Sequence, residues 1–157
     1  MRIEAARSVL CDSPSVETLE LLGASRLAAV RRLVLWYFVA HSEKPEPLLP
    51  FLHDSAVGLR AESRFYLRRR GVDNFADRYF LAAESAQGRK LAIAIAGLGE
   101  TADPAALEVV ARHIASEKTP VRCAAVVAID RLSPLQTLEP FLVALSDPRV
   151  SVSNAAH

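Results

Sequence analysis

At five nearly evenly spaced points along the 157-residue chain an apolar or small residue precedes an arginine, with another small or apolar residue three positions after the arginine. The copies are Met1-Arg2…Ala5, Val30-Arg31…Val34, Leu59-Arg60…Ser63, Gly88-Arg89…Ala92 and Val121-Arg122…Ala125. Val152-Ser153…Ala156 keeps the spacing and loses the arginine. Successive copies begin 29, 29, 29, 33 and 31 residues apart. A period of this length, filled with helix-forming sequence, predicts stacked helical hairpins: one hairpin cannot bury both of its faces, so each needs neighbours. The expected fold is all-α, an α-solenoid of about five hairpins with the first and last incomplete.

Composition agrees with helices packed through small side chains. Apolar residues make up 51% of the chain and aromatic ones only 6%, which suits close helix contacts better than a sheet sandwich. A net charge of +1, from 19 basic and 18 acidic residues, supplies no global field to draw the chain onto nucleic acid or acidic lipid. The longest apolar run, Leu33 to Ala40, is too short to span a bilayer, and the charged start Arg2-Ile3-Glu4 is wrong for a signal peptide. Cys11 and Cys123 stand alone, as expected of buried, reduced thiols in a cytoplasmic protein.

Each period divides into a first helix, a polar turn and a second helix. Residues 46–54 predict a short first helix in which Pro50 is a source of strain, and 57–70 a second helix stopped by Gly71. Residues 74–84 and 88–98 form the next pair, with Gly97 and Gly99 as terminators. Asp103-Pro104 and Thr119-Pro120 are cap-then-proline starts. Leu107, Val110, Ala111 and Ile114 give the helix after Asp103 its apolar face; Val121, Ala124, Ala125, Ala128, Ile129 and Leu132 give the following helix its stripe. Ser133-Pro134 opens another first helix through Leu138, Phe141, Leu142 and Leu145, and Asp147-Pro148 turns into a last helix. The front is less regular: a helix over 1–10, a short one from Ser15 to Leu22, then a long one whose later part, Trp36 to Phe38, is apolar on nearly every side and so expected to be buried.

The last four units share one register without gaps: Leu52…Leu59-Arg60…Ser63, Leu81…Gly88-Arg89…Ala92, Ile114…Val121-Arg122…Ala125 and Leu145…Val152-Ser153…Ala156. Asp54 and Asp147 follow the first mark by two residues; Ser116 holds that place in a third copy. This resembles the HEAT repeat in its short bacterial form, as also found in phycobilisome lyases. The resemblance covers residues 46–157 and extends in degenerate form over 1–45, making 1–157 a single solenoid domain. It departs from the family pattern where Gly88 replaces valine, Ala83 aspartate and Ser153 arginine. It implies first helices outside and second helices lining a concave surface. The column Arg60, Arg89 and Arg122, with Asp54 and Asp147, is expected to be structural, the arginines meeting turn carboxylates or free carbonyls.

Nothing in the sequence commits the chain to catalysis. His41, His53, His113 and His157 show no metal-ligand spacing, so neither a metal nor another cofactor is expected. Arg60, Arg64, Arg68, Arg69 and Arg70, offset only by Glu62, form the one local charge anomaly. Overlaying the second helices aligns Arg64, Ile93 and Val126, then Phe65, Ala94 and Val127, then Arg68, Gly97 and Asp130. As a concave face, these make a groove apolar in its middle and basic toward the N-terminal end, suited to a peptide with acidic flanks; the alternative is that Ile93, Val126 and Val127 pack against adjacent helices. The expected function is a non-enzymatic protein-binding scaffold. The alternatives are a nucleic-acid-binding or DNA-repair module using the Arg60–Arg70 helix and, implied by kinship alone, a chromophore-lyase accessory role. No polar cap closes the array, so the chain is expected to belong to a longer array or to self-associate through its open ends.

Overall fold

A computed structural model describes residues 3–132, 142 and 144–155. Every regular element among them is helical, and no helix of the described residues is long and apolar enough to cross a membrane. The chain divides into two compact units, residues 1–73 and 74–157.

The first unit contains α1 (Ile3–Cys11), α2 (Val16–Gly23), α3 (Ala28–His41), a 3-10 helix (Glu46–His53) and α4 (Val57–Arg68). Ser15 caps α2, its Oγ accepting the Thr18 N–H at 3.2 Å. Both α1 and α2 pack on α3, and the 3-10 helix packs on α3 and α4. The tighter winding of residues 46–53 answers the Pro50 problem: a proline without an N–H fits a short 3-10 segment better than an α-helix interior. It places Leu48 and Phe51, three apart, on one buried face. Ser63 then brings α4 close, its hydroxyl donating to the Leu48 carbonyl at 2.8 Å. The α4 helix ends at Arg68, two residues before the expected stop. Gly71, at φ +76°, completes a Schellman turn: Val72 N–H donates to Leu67 O and Gly71 N–H to Arg68 O, each at 3.1 Å.

Two expectations for this unit are corrected. Only Val30, Val34 and Leu35 of α3 are fully buried, so the apolar run around Trp36 exceeds the stripe its packing needs, and Trp36 is 45% exposed. Cys11 is also exposed, at the end of the short α1, while Cys123 is half-buried.

The second unit contains α5 (Phe75–Ser85), α6 (Gly88–Thr101), α7 (Ala106–Ala111), α8 (Thr119–Leu132) and α9 (Val150–Ala155). The α6 helix packs on α5 and most extensively on α8, and α9 packs on α8. Gly97 and Gly99 do not end α6, which runs on to Thr101 and stops at Ala102 in the left-handed region, φ 56°. They are instead buried points of close approach. A β-carbon on Gly97 would fall into the Tyr79 ring, and one on Gly99 would lie 2.6 Å from Ala128 Cα. Asp103 Oδ1 accepts the Ala105 N–H at 3.0 Å, and regular helix begins one residue later. On α8, Val121, Ala125, Val126, Ala128 and Ile129 are buried. Ala111, Leu142 and Leu145 are exposed rather than on a packed stripe. Arg2, the expected helix start at Ser133-Pro134, Leu138, Phe141, Ala156 and His157 lie outside the described residues.

Candidate functional site

Two arginines of the repeated pattern build the same local structure ninety-one positions apart in the chain (Arg31 and Arg122). Arg31 Nε donates to Asp54 Oδ2 at 2.6 Å and Nη2 to Asp54 Oδ1 at 2.7 Å, while Nη1 donates to Ser25 O at 2.7 Å. Arg122 Nε donates to Asp147 Oδ2 at 2.6 Å and Nη2 to Asp147 Oδ1 at 3.1 Å, while Nη1 donates to Ser116 O at 2.8 Å. In each case the planar guanidinium grips a carboxylate with two parallel bonds and a turn carbonyl six residues upstream with a third. The carboxylates are shared with the backbone: Asp54 Oδ1 accepts the Ala56 N–H at 2.7 Å and Asp147 Oδ1 the Arg149 N–H at 2.8 Å. Ser25 and Ser116 make the same turn with a hydroxyl, accepting from Leu27 and Lys118 N–H. Arg60 continues the carbonyl half of the pattern, Nη1 donating to Asp54 O at 2.7 Å.

These clamps hold their charges firmly. Burial pushes the Asp54 carboxyl upward, but the Arg31 hydrogen bonds, the Ala56 N–H and the charges of Arg31 and Arg60 outweigh it and leave the group below the ordinary aspartate range. Asp147 is lowered chiefly by its bond to Arg122, with the Arg149 N–H adding to it and burial opposing. Both arginines are raised, first by those same carboxylate bonds. Arg31 and Asp54 side chains are only 12% and 6% exposed, so this pair is shielded from water and salt.

The α5–α6 turn departs from the pattern, and the reason lies in one residue. Ala83 stands where Asp54 and Asp147 stand, and alanine, a strong helix former without a turn-making oxygen, lets α5 continue to Ser85. Two residues remain for the turn, Ala86 and Gln87, and Gly88 takes φ +55° to complete it. Ala83 is thus inside a helix, six residues upstream of Arg89, and Arg89 is exposed. Leu81, the apolar mark of this copy, is exposed as well.

The residues expected on a groove divide by burial. Arg64, Ala94 and Val126 are buried and present no surface to a ligand; Ile93 and Val127 are half-buried. Phe65, Arg68 and Asp130 are exposed. Arg64, Phe65 and Arg68 belong to the first unit, the others to the second.

What the spacing missed is an aromatic–arginine face on α3 and α4. Trp36, expected in the interior, projects from α3 and donates its indole N–H to Glu62 Oε2 at 3.2 Å. Arg32 Nε lies 2.9 Å from the other Glu62 oxygen, an ion-pair distance without hydrogen-bond alignment. One turn along α4 from Glu62 is Phe65, 53% exposed, with the Arg69 guanidinium 5.8 Å from its ring centre and Tyr66 edge-on. Beyond it, Arg70 Nη2 donates to the Val39 and Ser42 carbonyls at the end of α3, and its Nη1 has no partner. A mainly polar hollow of about 570 Å³ opens there, lined by Val39 to Glu43, Arg69 and Arg70. The sequence signal that marks this face is the exposed helical spacing Phe65-Arg69 together with Trp36 two residues beyond the packed Val34. A separate apolar groove of about 520 Å³ lies between α2, α3 and the 3-10 helix, lined by Val16, Leu19, Val34, Phe38, Pro47 and Phe51 among others.

No group of three or more His, Cys, Asp or Glu residues that could hold a metal ion occurs among the described residues. No protein-family model matches the chain, and no curated protein matches it.

Proposed function

We propose that the chain is a HEAT-like helical-repeat module of the cytoplasm that binds a protein or peptide partner without catalysis, through the exposed face of α3 and α4. The observation that carries this reading is a half-exposed tryptophan bonded to Glu62 of α4 and, one turn further along α4, a half-exposed phenylalanine beneath Arg69. Trp, Arg and large aromatic side chains dominate the energetics of protein interfaces, and a folded domain gains nothing for its own core by leaving them in water. Repetition of the Arg–Asp clamp in Arg31–Asp54 and Arg122–Asp147, each with its upstream carbonyl, supports the repeat reading. Burial of Arg60 and Arg64 takes two of the five clustered arginines away from any phosphate backbone, which favours a protein partner over nucleic acid.

The test is affinity capture from the source cells with the intact chain and with a Trp36→Ala/Phe65→Ala variant, read by mass spectrometry. A defined protein held by the intact chain and lost by the folded variant is the expected result. The same proteins held equally by both would remove this face.

A further inference from the structure

Given the α3–α4 binding face proposed above, on which this step rests, we infer that its occupant is an acidic amphipathic segment. Its apolar side chains cover the exposed Trp36 and Phe65, and its carboxylates meet the exposed Arg69 beside the polar hollow. Charge complementarity selects this occupant. Going along the face from α3 toward the end of α4, the carboxylate beside Trp36 is Glu62, already engaged by Trp36 and Arg32. From Phe65 onward the side chains are cationic: Arg68 and Arg69 are exposed and Arg70 is half-buried. No carboxylate of the described residues pairs with Arg69 or Arg70. Arg69 lies over the Phe65 ring, exposed at the rim of the hollow, while Arg70 Nη2 is held by the Val39 and Ser42 carbonyls and its Nη1 is buried.

The negative end of the α4 dipole offsets part of this charge, and that explains why three cations are tolerated there. It does not supply the fork-shaped acceptor that a guanidinium prefers, which is a carboxylate. The polar hollow of about 570 Å³ beside Arg69 and Arg70 is large enough for an acidic side chain, and Glu43 is the one acid among the residues that line it. A basic segment would face the Arg69 charge with Glu43 as the acid lining the hollow. A purely apolar one would cover Trp36 and Phe65 but bury the Arg69 charge against nothing.

The chain carries one tryptophan, so Trp36 emission reports occupancy of this face directly. The probes are three synthetic helical peptides with one shared leucine stripe and a polar face of glutamate, glutamine or lysine, with a duplex oligonucleotide as a fourth. The glutamate peptide is expected to blue-shift Trp36 emission and to bind about tenfold or more tighter than the lysine peptide, with affinity falling as salt rises. An R68E/R69E variant, whose changed side chains are exposed and whose melting curve is checked first, is expected to invert that order. Equal binding of the three peptides, or an order unchanged in the variant, would overturn the inference. Tighter binding of the duplex than of the glutamate peptide would overturn it too. If the peptides show no charge preference while partner capture still depends on Trp36 and Phe65, the acidic occupant fails and the binding face stands. If neither depends on these residues, both fail.

Discussion

At residue scale, the Arg31–Asp54 clamp joins two carboxylate bonds, an upstream carbonyl and a backbone N–H on the acid, and it is the more buried of the two such clamps. Removing one partner of so shielded a pair strands the other, so Asp54→Ala is expected to cost about 3 kcal/mol in chemical denaturation. Because the folded Asp54 and Asp147 carboxyls lie below their unfolded values, both clamps contribute fully above the ordinary aspartate pKa of about 3.9. Their contribution is lost as pH falls from there through the lower folded values. Stability is therefore expected to be flat in these groups from neutral pH to about 5 and to fall below about 4, and Asp54→Asn is expected to flatten that acid limb. The two helical glycines differ in kind. Gly99 faces the Ala128 backbone and Gly97 a tyrosine ring. Gly99→Ala is expected to cost about 2 kcal/mol in thermal unfolding, since a main chain cannot turn aside as a side chain can.

At the scale of elements, ends and turns decide most of what distinguishes one hairpin from another. The α4 helix stops cleanly because Gly71 accepts φ +76°. The α6 helix stops at Ala102 in the same left-handed region, where a β-carbon is strained. Replacing Ala102 with glycine is expected to stabilise the chain by up to about 1 kcal/mol, visible as a higher melting temperature, whereas Gly71→Ala is expected to lower it by a similar amount. The 3-10 helix shows the same logic in its interior: Pro50 lacks the N–H and clashes with an α-helical turn, and the tighter element still delivers Leu48, Phe51 and Leu52 to the core.

At the scale of the molecule, charge is balanced overall and uneven locally. With 19 basic and 18 acidic residues there is no long-range field, while Arg68, Arg69 and Arg70 crowd the end of α4 in the first unit. Local charge of this kind steers an acidic segment at short range and gives weak, salt-sensitive attachment to polyanions. Retention on heparin is accordingly expected at low ionic strength and to be gone by about 0.2 M salt, where phosphate contacts without base readout have lost most of their strength. Persistent retention above that concentration would favour a nucleic-acid partner.

Helical class, the positions of most turns and the buried stripe of Val121, Ala125, Ala128 and Ile129 were legible from sequence, because helix periodicity and turn chemistry are properties of neighbouring residues. The Asp103 cap and the stop at Gly71 belong to the same class of local signal. Which glycines end a helix and which admit a neighbour was not legible: Gly97 and Gly99 are indistinguishable from terminators until Tyr79 and Ala128 are brought against them. The fate of Trp36 was undecidable for the same reason, since an all-apolar helix segment does not say how many sides its neighbours will cover. Among the clustered arginines, sequence counted equal charges, and tertiary packing buried Arg60 and Arg64 while leaving Arg68 and Arg69 in water. Local structure follows from bonds made within a few residues, whereas exposure, and with it any binding surface, follows from what distant segments leave uncovered.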